Sequence, residues 1–222
     1  MKFSVPVTCL GCNEQFTLEI QGGNLPRYAE CPKCHARPYN MWPLGNVATL
    51  LLMERVKQEL ANDDSTVAII LSAMAVEAEM SYLFFKWKGI GSGKLPIQLG
   101  NEDKDSWEKE WDEMRSVGNR LDGLSRLLTG IDFDKLAQQK KMQPSDLKGF
   151  NPTTSIKRFF QEELFKRRNQ IVHYGHLDFE KADAHQCLSL ALALIRLLDA
   201  MDKLRIKRMD DAHEKERRQT TN

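Results

Sequence analysis

The first forty-odd positions alternate between apolar and polar residues. Phe3, Val5 and Val7 are spaced by two, and so are Phe16, Leu18 and Ile20 around Thr17 and Glu19. A period of two places each set on one face of a pleated strand, so two strands are predicted. Gln21-Gly22-Gly23-Asn24 has turn composition and predicts the return of the chain. Pro38–Gly45 holds two Pro and a Gly and reads as a linker. Beyond it the period lengthens. Val47, Leu50, Leu51 and Val56 fall on one side of a helix over 47–61 that Asn46 can cap. Asn62-Asp63-Asp64-Ser65 breaks and re-caps the chain. The next helix, about 66–87, is apolar nearly all round as far as Glu77, which predicts a central position. Gly89–Gly93 predicts a loop, and about 104–128 a helix that is charged early and amphipathic later.

Residues 131–150 are poorly patterned, with a short helix around 133–140 before Pro144 and Gly149 interrupt. Thr153–Ser155 caps a helix from Ile156 to about His173. Asp178 caps the last helix, from Phe179 to the end. Leu188, Leu190, Leu192, Leu194, Ile195, Leu197 and Leu198 bury its middle, while charge dominates past Lys203 and disorder is expected past Lys215. The predicted fold class is mainly α: an antiparallel bundle of four to five helices over 45–222, with little or no strand after residue 45, preceded by a small β module over 1–44.

Cysteine spacing changes the picture of that module. Cys9-Leu10-Gly11-Cys12 and Cys31-Pro32-Lys33-Cys34 give C-x2-C-x18-C-x2-C. A two-residue gap lets both thiolates of a knuckle reach one ion, and four thiolates close a tetrahedral zinc site. A segment of about 40 residues cannot be held by core burial alone, so a metal staple is expected. Cys9, Cys12, Cys31 and Cys34 are the predicted ligands of a structural zinc in a zinc ribbon. The alternative is a redox Cys-x-x-Cys pair. His35 is a substitute ligand by position.

Composition adds limits. The chain has 222 residues and a net charge of +1, which argues against coating nucleic acid by bulk electrostatics. Residues 150–222 carry 14 basic and 11 acidic groups and are the net-basic helical part. No apolar run reaches the roughly 18 residues of a membrane span, no signal-peptide pattern opens the chain, and paired Cys suggest metal rather than disulfides. The expected setting is cytoplasmic, without membrane contact.

Arg168-Asn169-Gln170-Ile171-Val172-His173 is the chemically richest stretch. Arg keeps its charge and can clamp a phosphate with a planar fork. His exchanges protons near neutrality. With 14 Arg and 5 His in the chain, such a spacing arises by chance about once. Arg208-Met209-Asp210-Asp211-Ala212-His213 is such a copy, in a charged tail. The first copy differs in its Asn after Arg, its apolar Ile171 and Val172, its Gly175 stop and the long helix that follows. Its bland alternative is a helix-terminal cluster favoured by the helix dipole. Lys157, Arg158, Lys166 and Arg167 either line an RNA groove or form a solvated helix face. Glu77 pairs with a bundle Arg, and if that partner is Arg168 it orients the site. Glu79 is expected in solvent. Cys187 is expected to be a core thiol, His176 and His185 loop or core histidines, and the four Trp core residues.

Arg168-Asn169-x-x-x-His173-Tyr174-Gly175, late in a helix and followed by a long apolar one, resembles the HEPN family of helical bundles found in RNases and nucleotide-binding modules. Ser72–Ala78, with Glu77 in an early buried helix, strengthens the likeness, which spans about 47–205. The zinc ribbon is outside the family pattern. The resemblance implies that Arg168, Asn169 and His173 are catalytic, with Glu77 and Tyr174 as accessory candidates. Some members carry a Tyr two residues after the His; Gly175 stands there, so that role is not carried over. It also implies homodimers in which two signatures face each other, an RNA substrate, and a toxin or defence effector with a cognate antitoxin or other protein partner. The expected chemistry is metal-independent attack of the 2′-hydroxyl on phosphorus, leaving 2′,3′-cyclic phosphate ends. The alternative is a non-catalytic nucleotide- or protein-binding module with the ribbon as adaptor.

Overall fold

The computed structural model describes residues 2–9, 12, 14–21, 31–35, 41–43, 47–92, 101–139 and 155–220. The alternating residues at the start form β1 (Lys2–Cys9) and β2 (Gln15–Gln21), paired antiparallel. Phe3 lies opposite Ile20, Val5 opposite Leu18 and Val7 opposite Phe16. The expected linker holds a third strand, β3 (Met41–Pro43), on the other edge of β1. Pro43 is compatible with pairing there because an edge strand has one row of amides with no partner to donate to. The predicted turn beyond Gln21 and the Asn46 cap lie outside the described residues, as do Pro144, Gly149 and Thr153.

The rest is helical: α1 (Val47–Ala61), α2 (Ser65–Gly91), α3 (Asn101–Glu113), α4 (Val117–Thr129), α5 (Phe133–Gln139), α6 (Ile156–Phe160), a π turn (Gln161–Phe165), α7 (Lys166–Tyr174) and α8 (Lys181–Thr220). Asp64 caps α2 by accepting the Val67 amide at 3.0 Å. The loop expected over 89–93 begins later, because α2 continues through Gly91 and Ser92 closes it onto the Lys88 and Gly89 carbonyls. Each helical glycine costs about 1 kcal/mol. Ile90, packed on the core, and Lys88, paired with Glu110 of α3, offset that cost.

The single helix expected over 104–128 is two helices. Ser116 is extended (φ −106°, ψ 151°) and its hydroxyl accepts the Asn119 amide at 3.1 Å, which starts α4 afresh. Met114 then folds back onto Gly123, where a Cβ would have no room. The expected cap of the last helix also moves, since the Asp183 carboxylate accepts the Glu180 amide at 3.1 Å and α8 begins at Lys181. It is continuous to Thr220, so the positions past Lys215 are helical.

α2 and α8 form the centre. Ala184, Cys187, Leu190, Ala191, Leu194, Leu198 and Met201 recur at helical spacing along α8 and are buried. They pack with Ala73, Val76, Met80 and Phe84 of α2 in one core. Fully burying a side chain such as Leu194 is worth about 1.5–3 kcal/mol. Lys86 and Trp87 of α2 both donate to Asp202 of α8. Trp87 and Trp111 are core residues as expected. Among the described residues, α2 is the one helix long and apolar enough to cross a bilayer; 56% of its apolar window is buried inside the bundle, the disposition of a core helix.

Candidate functional site

Two clusters carry chemistry. The first joins the turn after β1 to residues 31–35. The Cys12 and Cys31 sulfurs are 3.6 Å apart, and the Sγ atoms of Cys12, Cys31 and Cys34 all lie within 4.8 Å of one another. Thiolates about 2.3 Å from a tetrahedral zinc stand roughly 3.8 Å apart, so this spacing fits one shared ion. The second knuckle is closed by the His35 amide, which bonds the Cys31 carbonyl at 2.9 Å. Lys33 pairs with Glu14 at 2.8 Å and ties the knuckles together. Cys9 ends β1 opposite Met41, and its side chain lies outside the described residues. The three-cysteine cluster can therefore hold a metal ion. His35 is not among the grouped ligand atoms.

The second cluster is at the carboxyl end of α7. The helix predicted from Ile156 is capped by Ser155, whose hydroxyl accepts the Arg158 amide. It widens to a π turn over 161–165, where the Lys166 amide reaches the Gln161 carbonyl. Such single wide turns recur at functional sites. Downstream, Arg168 turns toward α2. Its Nη2 is 3.6 Å from Glu77 Oε2, and its Nη1 donates to Asn169 Oδ1 at 2.9 Å. Both charged side chains are about one-quarter exposed (27% and 26%). Arg168 Nε is buried and has no hydrogen-bond partner among the described residues.

One turn on, His173 is exposed, and so are Val172, Tyr174 and Leu177; Ile171 anchors the turn in the core. Met74 of α2 adds a further exposed apolar side chain. Gly175 stops the helix at φ +65°, its amide bonding Ile171 and the His176 amide reaching back to Gln170. A left-handed residue at this place costs Gly little and other residues about 1–2 kcal/mol.

Of the two pairings open to Glu77, with some bundle Arg or with Arg168, the contact is with Arg168. The four expected RNA-groove cations do not share a fate. Lys157 pairs with Asp122, and its amide bonds Asp134 at 3.0 Å. Arg167 is 18% exposed and lies within 3.2 Å of Glu163, Asp183 and Gln186. Arg158 is exposed, and Lys166 forms an exposed pair with Glu162.

Glu79, expected in solvent, is buried at 8% exposure. Burial raises its pKa above the ordinary carboxylate value; Thr49 and Lys86 oppose that shift, while Asp202 and Asp199 of α8 reinforce it. Neighbouring Tyr82 is pushed up to about 12 by burial. The reason is angular. Residues 77 and 79 lie about 200° apart on a helix, and α2 is packed on nearly every side. Cys187 is the buried thiol expected, raised to about 11 by burial, and it donates to the Glu163 carbonyl at 3.7 Å. His176 and His185 are exposed, so neither is a core histidine.

Fold and clusters define a mainly α-helical bundle protein with an N-terminal three-cysteine cluster. No family model, curated protein or solved structure matches the chain.

Proposed function

We propose that the chain is a metal-independent endoribonuclease with a composite active site across a homodimer, and that its cysteine cluster, completed by Cys9, holds a structural zinc. One observation carries most weight: a guanidinium held between Glu77 and Asn169 stands one helical turn before an exposed imidazole. Neutral His173 accepts the 2′-hydroxyl proton of RNA. The freed oxygen attacks the adjacent phosphorus, and Arg168 stabilises the charge that builds on the phosphoryl oxygens. Asn169 lies on the His173 face at i, i+4 and steers the imidazole or the phosphate. The 5′-oxygen leaves with a proton from the second copy's His173. One copy offers a single cation and a single imidazole, and a two-fold axis supplies the second of each. The exposed Val172, Tyr174 and Leu177 give such a pair an apolar rim. By its resemblance the enzyme fits a toxin or defence effector, with a cognate antitoxin or another protein as partner.

A second reading has its own observation. Glu77 offsets the charge of Arg168, as in a pair that only joins two helices. The module would then bind a nucleotide or a protein without turnover, with the ribbon as adaptor. Incubating mixed RNA with wild type, Arg168→Ala and His173→Ala in EDTA separates the two. Cleavage by wild type and by neither variant supports the nuclease. Nucleotide binding without cleavage by a folded dimer supports the binding module.

A further inference from the structure

Between α6 and the candidate site stands a feature that the proposed chemistry does not use. The π turn is pinned to α8 from two directions. The Cys187 thiol donates to the Glu163 carbonyl, a main-chain acceptor within the wide turn. Arg167, first residue but one after the turn, spreads its guanidinium over acceptors on Glu163, Asp183, Gln186 and Cys187. Its Nη2 bonds Glu163 Oε2 at 3.1 Å and Gln186 Oε1 at 3.2 Å, and its Nη1 stands 3.2 Å from Asp183 Oδ1. The fork is thus filled by side chains of its own helix and of α8.

Lys166, Arg167 and Arg168 are three consecutive cations. Rotating the helix by one residue, about 100°, would offer a different one to Glu77. Composition alone does not choose among them. The choice is made by what surrounds Arg167, because α8 presents a carboxylate and an amide to that position and α2 presents Glu77 to the next.

We propose that Arg167 is the positioning residue of the Arg168/His173 site: its tie to Glu163, Asp183 and Gln186 sets the rotation of α7 and thereby places Arg168 on Glu77. The positioning needs no substrate; only its kinetic consequence rests on the ribonuclease reading. Arg167 itself touches neither Arg168's partners nor the exposed face of His173, so it is not a catalytic residue.

The test compares full-length wild type, Arg167→Gln, and Leu128→Ala, a core truncation in α4 that supplies general destabilisation. The first readout is solvent exchange of the Arg168 Nε–H by nitrogen-15 NMR, assigned by its loss in Arg168→Lys. That atom is buried in the wild type, so its proton should exchange at least about tenfold more slowly than that of exposed Arg218. In Arg167→Gln the exchange should approach the Arg218 rate while Leu128→Ala stays slow. The second readout is RNA cleavage. Misplaced Arg168 should lower kcat about tenfold or more with KM changed less than about threefold. Slow exchange persisting in a folded Arg167→Gln would overturn the proposal. So would equal acceleration in Leu128→Ala, which would mark a global loosening. If the wild type cleaves no RNA, the nuclease reading fails, and the exchange measurement alone still decides the positioning role.

Discussion

Replacing Asp202 should be among the most costly single changes in the helical part. Its carboxylate accepts Lys86 Nζ at 2.9 and 2.7 Å and Trp87 Nε1 at 2.6 Å, so one residue of α8 satisfies two consecutive residues of α2. Lys86 and Asp202 are each only 14% exposed. Removing one partner of a buried pair costs about 3–5 kcal/mol, and an orphaned indole N–H adds about 1–3. Two effects reduce the sum. The Lys86 ammonium can extend toward water along its stem, and loss of the Asp202 charge relieves Glu79, whose pKa that charge helps to raise. Asp202→Ala should therefore cost about 3–4 kcal/mol, or a fall in Tm of roughly 10 °C at this chain length. Asp202→Asn keeps an acceptor for Trp87 and should cost about half as much. Lys86→Met added to Asp202→Asn removes the stranded cation and should recover part of the loss. Urea denaturation at fixed pH and ionic strength measures all three. A cost below about 1 kcal/mol for Asp202→Ala, or equal costs for Ala and Asn, would refute the claim that a charge and an indole N–H both depend on this carboxylate.

Three further outcomes are expected. Glu79 has a raised pKa, so the folded state binds more protons than the unfolded one between the ordinary value of 4.5 and the folded value, and stability falls as pH rises through that window. Glu79→Gln should therefore be the more stable chain above the window, the gap closing toward acid; a gap of constant size from pH 4 to 8 would contradict this. Cys31→Ser should abolish stoichiometric metal binding, read by metal analysis of the purified protein, because Cys31 is the buried member of the cluster; full retention of metal would exclude Cys31 as a ligand. Gly175→Ala should cost about 1–2 kcal/mol through its left-handed backbone and loosen the turn that holds His173, visible as faster amide exchange at residues 175 and 176.

Where local chemistry decides, the sequence was legible. The strand alternation predicted two strands, and β1 pairs with β2 antiparallel; period two excludes one-residue slips but leaves registers offset by two equivalent. The break at 62–65 was legible because Asp64 has one obvious use, as a cap. The start of α4 was readable in principle from Ser116 three residues before Asn119, yet the amphipathic run from Trp107 to Leu128 masked it. Other features had no local signal. A π turn has no composition of its own, so the direction of Arg167 could not be separated from that of Arg168. β3 is three residues long and exists through β1. Glu77 and Glu79 look alike in sequence, and only the placement of α1, α7 and α8 around α2 decides which is buried. At the candidate site the residue types were legible, whereas the choice of Arg168 as the partner of Glu77 and the withdrawal of Lys157 and Arg167 into internal pairs were tertiary facts.

The central claim is that the 2′-hydroxyl of RNA attacks under the control of Arg168 and His173. The most direct measurement uses a short RNA with one 2′-deoxy substitution at the cleaved position, in EDTA, with product ends identified by mass. Ribonuclease action of the kind proposed gives a 2′,3′-cyclic phosphate and a 5′-hydroxyl from the unmodified strand and no cut at the deoxy position, and His173→Ala cuts neither strand. Cleavage at the deoxy position, 5′-phosphate ends, or full activity in His173→Ala would contradict it.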